Sequence, residues 1–162
     1  MTLKTYQYAY GRGTIDFTLD DEHVMKEIRT AAFEPMTDIK GGVLEAIHHP
    51  IGCESLEKRI HPGQTVAFIC NDPTRVANSF DFMPVLVDEM NRLGVPDENM
   101  RIVFALGTHR AMTEEEMAEA VSPEVARRIR CVNSISTIEG DFEYQGITSR
   151  GTPVWIHKAL CD

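Results

Sequence analysis

The sequence predicts an α/β fold: a three-layer, mostly parallel sheet with βαβ crossovers and peripheral β-hairpins. Two nearly continuous apolar stretches, residues 65–70 and 101–106, flank a segment whose helical periodicity begins near Ser79. Strands that are buried on both faces of a parallel sheet have such continuous apolar sequences. The helical segment between them is the crossover that a parallel pair of strands requires.

Size and composition limit the class of protein. At 162 residues the chain is expected to form a single α/β domain with a substantial core. Its formal net charge of -9 argues against nucleic-acid or anionic-membrane partners, which bind basic surfaces. No apolar run is long enough to span a membrane, and the first residues lack the apolar core of a secretory signal, which predicts a cytoplasmic protein. The four cysteines are widely spaced and are expected to be free thiols, with Cys70 buried.

Two β-hairpins are expected outside the parallel sheet. Residues 5–10 and 14–19 alternate between apolar and polar types on either side of a Gly-Arg-Gly turn, and residues 144–148 and 152–157 predict a second hairpin. Short helices are expected in three further segments: residues 20–29, 41–48 and 54–60.

The crossover helices have clear start and stop signals. The first carries apolar residues at three- and four-residue spacing and is expected to end at Gly94. The next begins with Thr113 and Glu116, whose spacing predicts a capping box. Pro123 is placed to start another helix, and residues 130–133 predict a third strand of the sheet.

Polar residues follow both core strands. Because the carboxyl ends of parallel strands meet at one edge of a sheet, and ligands of open α/β sheets bind there, the two loops should form a common rim. The side chains expected at this rim are those of Asp72, Thr74, Arg75, Thr108, His109 and Arg110.

The first rim loop has groups suited to an anion or a nucleotide. The guanidinium of Arg75 can bind carboxylate or phosphate oxygens in bidentate fashion, and Thr74 offers a hydroxyl close to a helix start. Asp72 can accept a ribose hydroxyl or orient a histidine. Alternatively, Asp72 and Arg75 form only a salt bridge within the loop, with Asp-Pro serving as a turn.

His109 is the candidate for acid/base chemistry. Histidine titrates near neutral pH, so a histidine at the carboxyl end of a strand can accept and return a proton. The alternative is a solvated loop side chain. Arg110 is expected to pair with the following helix rather than with an anion. The adjacent pair His48-His49 is not expected to bind a metal, because neighbouring helical residues point in different directions.

These motifs resemble the amino-terminal domain of the nickel-dependent lactate racemase family. The matching stretches are Asp72-Pro73-Thr74-Arg75, the helix after it, and residues 105–110 with the acidic helix start at 113–116. The family typically has an Asp-His-Thr-Arg-Pro loop and an Ala-Thr-Gly-x-His-Arg-Pro segment. Three further stretches match in the same order along the chain: residues 50–52, 130–133 and 148–154.

The resemblance implies a racemase or epimerase of 2-hydroxy acids that uses a nickel-pincer nucleotide as hydride acceptor. His109 then corresponds to a catalytic acid/base and Arg75 to the contact with the substrate carboxylate. The residues implied at the cofactor site are Asp72, Thr74, Gly107 and Thr108. No metal ligand is assigned within the chain, because the family's nickel-ligating histidine and cofactor-attaching lysine have no counterpart in it.

Two departures and one absence qualify this resemblance. Pro73 replaces the family's usual His, and Val76 replaces its usual Pro. The second catalytic histidine and the carboxyl-terminal domain of the family have no counterpart in residues 1–162. We therefore expect the amino-terminal part of a longer or split two-domain enzyme, which needs a carboxyl-terminal domain or companion chain and is inactive alone.

Two other hypotheses are open. The chain could be a non-catalytic module that uses the anion-binding rim for a nucleotide or an organic acid. It could also be a structural partner that docks onto a companion chain through an apolar patch at residues 154–160.

Overall fold

The structure is a computed structural model that describes residues 2–75 and 77–161. Contacts between Cα atoms divide the chain into two compact units, Met1–Pro35 and Met36–Asp162. Among the described residues, no helix has the length and apolar character needed to cross a membrane.

The first unit is a hairpin followed by an extended segment. Strands β1 (Leu3–Tyr10) and β2 (Gly13–Asp20) are antiparallel, and Gly11 at the turn has a φ of 58°, so the predicted hairpin is confirmed. The helix expected at residues 20–29 is wrong. Only Asp21–His23 forms a 3₁₀ turn, and the chain beyond it is irregular. The apolar side chains of Met25 and Ile28 in this segment are exposed, and tertiary burial is what stabilises most short helices.

The second unit contains five helices and five strands in its described part. In chain order these are α1 (Ile39–His48), α2 (Leu56–Arg59), β3 (Val66–Asn71), α3 (Ser79–Arg92), β4 (Met100–Gly107), α4 (Glu114–Val121), α5 (Pro123–Arg128), β5 (Arg130–Ile135), β6 (Phe142–Ile147) and β7 (Pro153–His157).

The parallel sheet has the strand order β3-β4-β5. Val66 pairs with Met100 at the start of the first ladder, and Arg101 pairs with Arg130 at the start of the second. Strands β6 and β7 form a separate antiparallel hairpin. The α/β class, the parallel βαβ crossovers and the second hairpin are thereby confirmed.

The helix termini follow the signals in the sequence. Helix α3 ends at Arg92, and Gly94 beyond it has a φ of 91°, a conformation that favours glycine. The capping box of α4 is present, because Thr113 accepts from the backbone N–H of Glu116 and the Glu116 carboxylate accepts from that of Thr113. Pro123 occupies the first turn of α5.

The main core lies between the sheet and helices α3, α4 and α5. Alternate residues of β4, namely Ile102, Phe104 and Leu106, are buried in one cluster with apolar residues of these three helices or their ends. Because successive strand residues point to opposite faces, this cluster defines the helix-covered face of the sheet.

The opposite face of the sheet is only partly covered. Val103 of β4 is buried on this side, and the 3₁₀ turn Lys158–Leu160 contacts β4. Over β3 and the end of β4, by contrast, Ala67, Ile69 and Ala105 are exposed. These three residues are named the open face.

A buried carboxylate joins the first three helices of the second unit. Glu89 of α3 is 6% exposed and accepts two hydrogen bonds from Arg92 Nε, at 3.0 and 2.9 Å. The same guanidinium contacts Glu57 of α2, and His48 Nε2 of α1 lies 3.1 Å from Glu89 Oε1. The hydrogen bond from Arg92 lowers the pKa of Glu89.

The environment of the cysteines agrees with the sequence. All four are free thiols, and Cys70 is buried at the end of β3. Burial raises the pKa of Cys70 to about 11. The thiol is therefore protonated and unreactive at neutral pH.

Phe104→Ala should lower the free energy of unfolding by about 3–5 kcal/mol, because it removes a fully buried ring and leaves a cavity. Phe33, which is 86% exposed, gives the matched control, and Phe33→Ala should change the same quantity by less than ~0.5 kcal/mol. Urea unfolding followed by circular dichroism measures both. Equal losses for the two variants would contradict the assignment of Phe104 to the core.

Glu89→Gln should lower the melting temperature at pH 7 and have a smaller effect as the pH falls below about 4.3. Since the folded-state pKa of Glu89 is lowered, its carboxylate stabilises the fold above the ordinary glutamate pKa, and this stabilisation is lost as the pH falls through the lowered value. Thermal unfolding between pH 7 and pH 3 measures the difference. Glu143→Gln, at an exposed position of β6, is the control. A pH-independent deficit in Glu89→Gln would show that the ionised carboxylate is not what stabilises the fold.

Candidate functional site

Two loops lie at the carboxyl-terminal edge of the parallel sheet. Strand β3 ends at Asn71 and β4 at Gly107, and Asn71 is in register with Ala105. The loops at residues 72–75 and 108–110 therefore leave neighbouring strands at the same edge. The rim expected from the sequence is present.

Asp72 organises the first loop. Its side chain is largely buried, and Oδ1 accepts the backbone N–H of Thr74 at 2.9 Å as well as the Thr74 hydroxyl. The Asp72 carbonyl accepts the backbone N–H of Arg75 at 3.2 Å, which closes a turn over Pro73. The hydrogen bonds from the Thr74 hydroxyl and backbone lower the pKa of Asp72, so this carboxylate is ionised at neutral pH.

Arg75 and His109 both approach this carboxylate. Arg75 Nε lies 3.7 Å from Asp72 Oδ2, and His109 Nε2 lies 4.0 Å from Asp72 Oδ1. Both partners reach into solvent, with 71% of the Arg75 side chain and 50% of the His109 side chain exposed. The salt bridge considered as an alternative therefore exists, and most of the Arg75 side chain is still exposed to solvent.

Arg110 belongs to the helix rather than to the rim. Its guanidinium donates to both oxygens of Glu116, at 2.8 and 2.6 Å. This pairing lowers the pKa of Glu116 to about 2. Since Glu116 is also part of the capping box, the loop after β4 is attached to the first turn of α4. The ion pair expected for Arg110 is confirmed.

Gly107 is the last residue of β4, and Thr108 follows it in the turn that leads to His109. Gly107 has a φ of 59°, and its carbonyl accepts both the backbone N–H and the hydroxyl of Ser136, at 3.0 and 2.6 Å. The His109 backbone N–H donates to the Leu106 carbonyl at 3.0 Å. Thr108 is exposed in this turn. Gly107 thus shapes the backbone, and its carbonyl already has partners within the chain.

A cavity of about 310 Å³ adjoins the first loop. Its lining includes Asp72, Arg75, Asn78, Phe104, Glu116 and Glu119. Two of these residues, Asn78 and Glu119, were not predicted from the sequence. Asn78 precedes α3 with a φ of 53°, and asparagine tolerates this left-handed conformation, so an Asn directly before a predicted helix was the available signal.

The positioning role of Asn133 in β5 was also not predicted from the sequence. Its side-chain amide donates to the Met112 carbonyl at 3.0 Å and accepts the Met112 backbone N–H at 3.1 Å. This pair of bonds fixes the segment between His109 and α4 against the sheet. Val76, where the resembling family has Pro, lies outside the described residues.

One group of potential metal ligands occurs in the part of the chain that the structure describes. His48, Glu57 and Glu89 place one ligand atom each within 4.8 Å of the others. The cluster lies toward the end of α3 away from the rim, and Arg92 already bonds both carboxylates. The guanidinium thus supplies the cation that two carboxylates need. His49, the residue that follows α1, pairs instead with Glu45 of α1, at 3.8 Å between His49 Nε2 and Glu45 Oε2.

Comparisons with known proteins identify relatives along nearly the whole chain. The model of the lactate racemase N-terminal domain family matches residues 10–162. The lactate racemase of Lactiplantibacillus plantarum is 24% identical over 155 residues, and that of Thermoanaerobacterium thermosaccharolyticum is 26% identical over 154 residues. Each alignment covers 94% of this chain and 36% of the relative.

A solved structure has the same fold. The lactate racemase apoprotein from Thermoanaerobacterium thermosaccharolyticum superposes with a TM-score of 0.80 and 25% sequence identity, over 96% of this chain and 36% of that one. The chain therefore spans about a third of the length of these relatives. Because the family model covers residues 10–162, the chain belongs to the lactate racemase N-terminal domain family.

Proposed function

We propose that this chain is the substrate- and cofactor-binding amino-terminal part of a lactate-racemase-like enzyme that racemises or epimerises a 2-hydroxy acid. One observation carries the proposal: a cationic side chain and an imidazole, contributed by two different loops, flank the carboxylate of Asp72. A 2-hydroxy acid offers the two groups that such a pair recognises, a carboxylate and a neighbouring hydroxyl.

Each residue of the pair has a role that its exposure permits. The guanidinium of Arg75 binds the substrate carboxylate through charge-assisted hydrogen bonds. His109 accepts the proton of the substrate hydroxyl and later returns it. Asp72 lies beside both groups at the rim, with Arg75 Nε 3.7 Å and His109 Nε2 4.0 Å from its carboxylate oxygens.

The rim suits the nucleotide portion of the nickel-pincer cofactor that the family resemblance implies. Thr74 and Thr108 are exposed residues at the rim, and the second carboxylate oxygen of Asp72, Oδ2, can accept from a ribose hydroxyl. We propose that these residues and the Gly107 turn hold that group. When bound, the cofactor supplies the acceptance and return of hydride at the substrate carbon.

Nickel ligation is not expected from this rim. The Cys70 thiol is buried, and its raised pKa disfavours the thiolate that a soft metal requires. His109 is assigned to proton transfer. We therefore propose that the metal ligands and the second acid/base residue come from a carboxyl-terminal domain or companion chain, and that residues 1–162 alone do not turn over substrate.

A second candidate is a binding module without catalysis. The cavity of about 310 Å³ beside Asp72 favours it, because it is formed within this chain. Such a module would bind a nucleotide or an organic acid without help from another domain. Calorimetry of the isolated chain with lactate, malate and nicotinate mononucleotide separates the two functions. Nucleotide binding that added hydroxy acid leaves unchanged favours the module.

His109→Gln should reduce kcat for lactate racemisation about 10²–10⁴-fold in the assembled enzyme, because glutamine cannot exchange the hydroxyl proton. The assembled enzyme is this chain fused to the region that follows the matched part of the Thermoanaerobacterium thermosaccharolyticum racemase. His49→Gln, at an exposed histidine of the second unit, is the control and should retain the parental rate. Chiral chromatography of the products measures both. Undiminished turnover in His109→Gln would refute the acid/base role.

Arg75→Lys should raise KM for lactate about tenfold or more in the same fusion, with a smaller effect on kcat. Lysine keeps the charge but loses the planar pair of donors that fits a carboxylate. Arg12→Lys, in the turn of the first unit, is the matched control. An unchanged KM in Arg75→Lys would remove Arg75 from the substrate site.

A further inference from the structure

The outer edge of β3 adjoins the open face. In the part of the chain that the structure describes, no strand pairs with the side of β3 that faces away from β4. On the adjoining open face, Ile69 is 66% exposed between the small side chains of Ala67 and Ala105. An aliphatic side chain in this position is one that native sheets normally cover.

Strand β3 lacks the usual protections of a free edge. Its sequence, Val-Ala-Phe-Ile-Cys-Asn, contains neither Lys nor Pro, and its ladder with β4 runs in register from Val66 to Asn71 without a bulge. Proteins that leave an edge in solvent commonly use charges, proline or bulges to prevent further pairing. A regular, uncharged edge is typical of a strand that has a neighbour.

The winding of the sheet specifies the kind of neighbour. From β3 to β4 to β5 the chain moves across the sheet in one direction, and helices α3, α4 and α5 pack on the same face. Right-handed crossovers in one direction produce this arrangement. In doubly wound sheets the second half starts beside the first strand, moves in the opposite direction and places its helices on the other face. The order β3-β4-β5 is one half of such a sheet.

We propose that the polypeptide region completing the racemase docks here, adding a strand parallel to β3 and covering the open face with the apolar side of a crossover helix. This inference rests on the proposed function, because that function requires a carboxyl-terminal part. The two relatives contain enough additional chain to form such a region, since the part matched here is only 36% of each of them. The surface calls for aliphatic contacts at Ala67, Ile69 and Ala105, and the partly exposed Arg101 lies on the same face in register with Ala67.

Docking at this edge also has a consequence for the site. With a strand added beside β3, the sheet reverses its winding between that strand and β3, and the crevice at such a reversal is where open α/β sheets bind ligands. The loop carrying Asp72 and Arg75 follows β3 directly. The added region would thus face the exposed guanidinium of Arg75 across the crevice.

Hydrogen exchange measured by mass spectrometry tests the proposal on the free chain and on the fusion with the Thermoanaerobacterium thermosaccharolyticum region. Amides of residues 66–70 should exchange about tenfold or more slowly in the fusion, because the outward N–H groups gain strand partners. Ile69→Lys should restore the exchange rate of these amides to within about twofold of the free chain, because it places a charge in an apolar contact.

Ile147→Lys is the matched control, since Ile147 of β6 is 65% exposed and has the same side chain. It should leave the protection of residues 66–70 intact. Equal exchange at β3 in the free chain and the fusion, or new protection confined to β5, would overturn the proposal. So would dimerisation of the free chain that Ile69→Lys abolishes, because the surface would then bind a second copy.

Racemisation by the fusion is assayed separately. Protection of β3 without turnover supports the docking surface and contradicts the proposed function. Turnover without protection of β3 supports the function and overturns this surface.

Discussion

The parallel pairing of β3 with β4 is the constraint on which the rest of the structure depends. The strand rise is about 3.3 Å per residue, so a shift of two residues, the smallest that keeps the same faces buried, moves one loop about 6.6 Å along the other. That displacement exceeds the 4.0 Å between His109 and Asp72. A shift of one residue would instead turn Phe104 out of the core. The core therefore fixes the register, and the register brings the two loops together.

Within the rim, Asp72 is held by local hydrogen bonds, whereas His109 approaches it from a different loop. Asp72 is held by bonds from Thr74 and by the turn to Arg75, all within four residues. The position of the carboxylate is thus fixed within its own loop, and His109 contacts it from the next strand. A site arranged this way needs little reorganisation when a ligand arrives, because its central acceptor is already fixed. The side chains that would meet the ligand, those of Arg75 and His109, are the solvent-exposed ones.

Much of the fold could be predicted because buried positions recur in the sequence as regularly spaced apolar residues. The apolar runs at β3 and β4, the spacing along α3 and the capping box before α4 each correspond to a local physical rule. The location of the two rim loops could also be predicted, since parallel strands bring their carboxyl ends to the same edge of the sheet. Polar contacts between distant residues leave no such pattern. The pairing of His48 with Glu89 and the bonds of Asn133 to Met112 join residues 41 and 21 positions apart, and their side chains look like ordinary polar residues in the sequence. Charge alone also misled at residues 20–29, where the apolar residues Met25 and Ile28 are exposed and tertiary burial does not stabilise a helix.

Glu116 links two parts of the chain that would otherwise vary independently. Its carboxylate accepts the backbone N–H of Thr113 at the start of α4 and also pairs with Arg110, the residue next to His109. A substitution in the first turn of α4 therefore alters the loop that carries the imidazole. In evolutionary terms, the loop after β4 and the first turn of α4 are expected to change together. Grafting residues 107–110 from another family member would require the accompanying Thr113 and Glu116, and selection should replace them together.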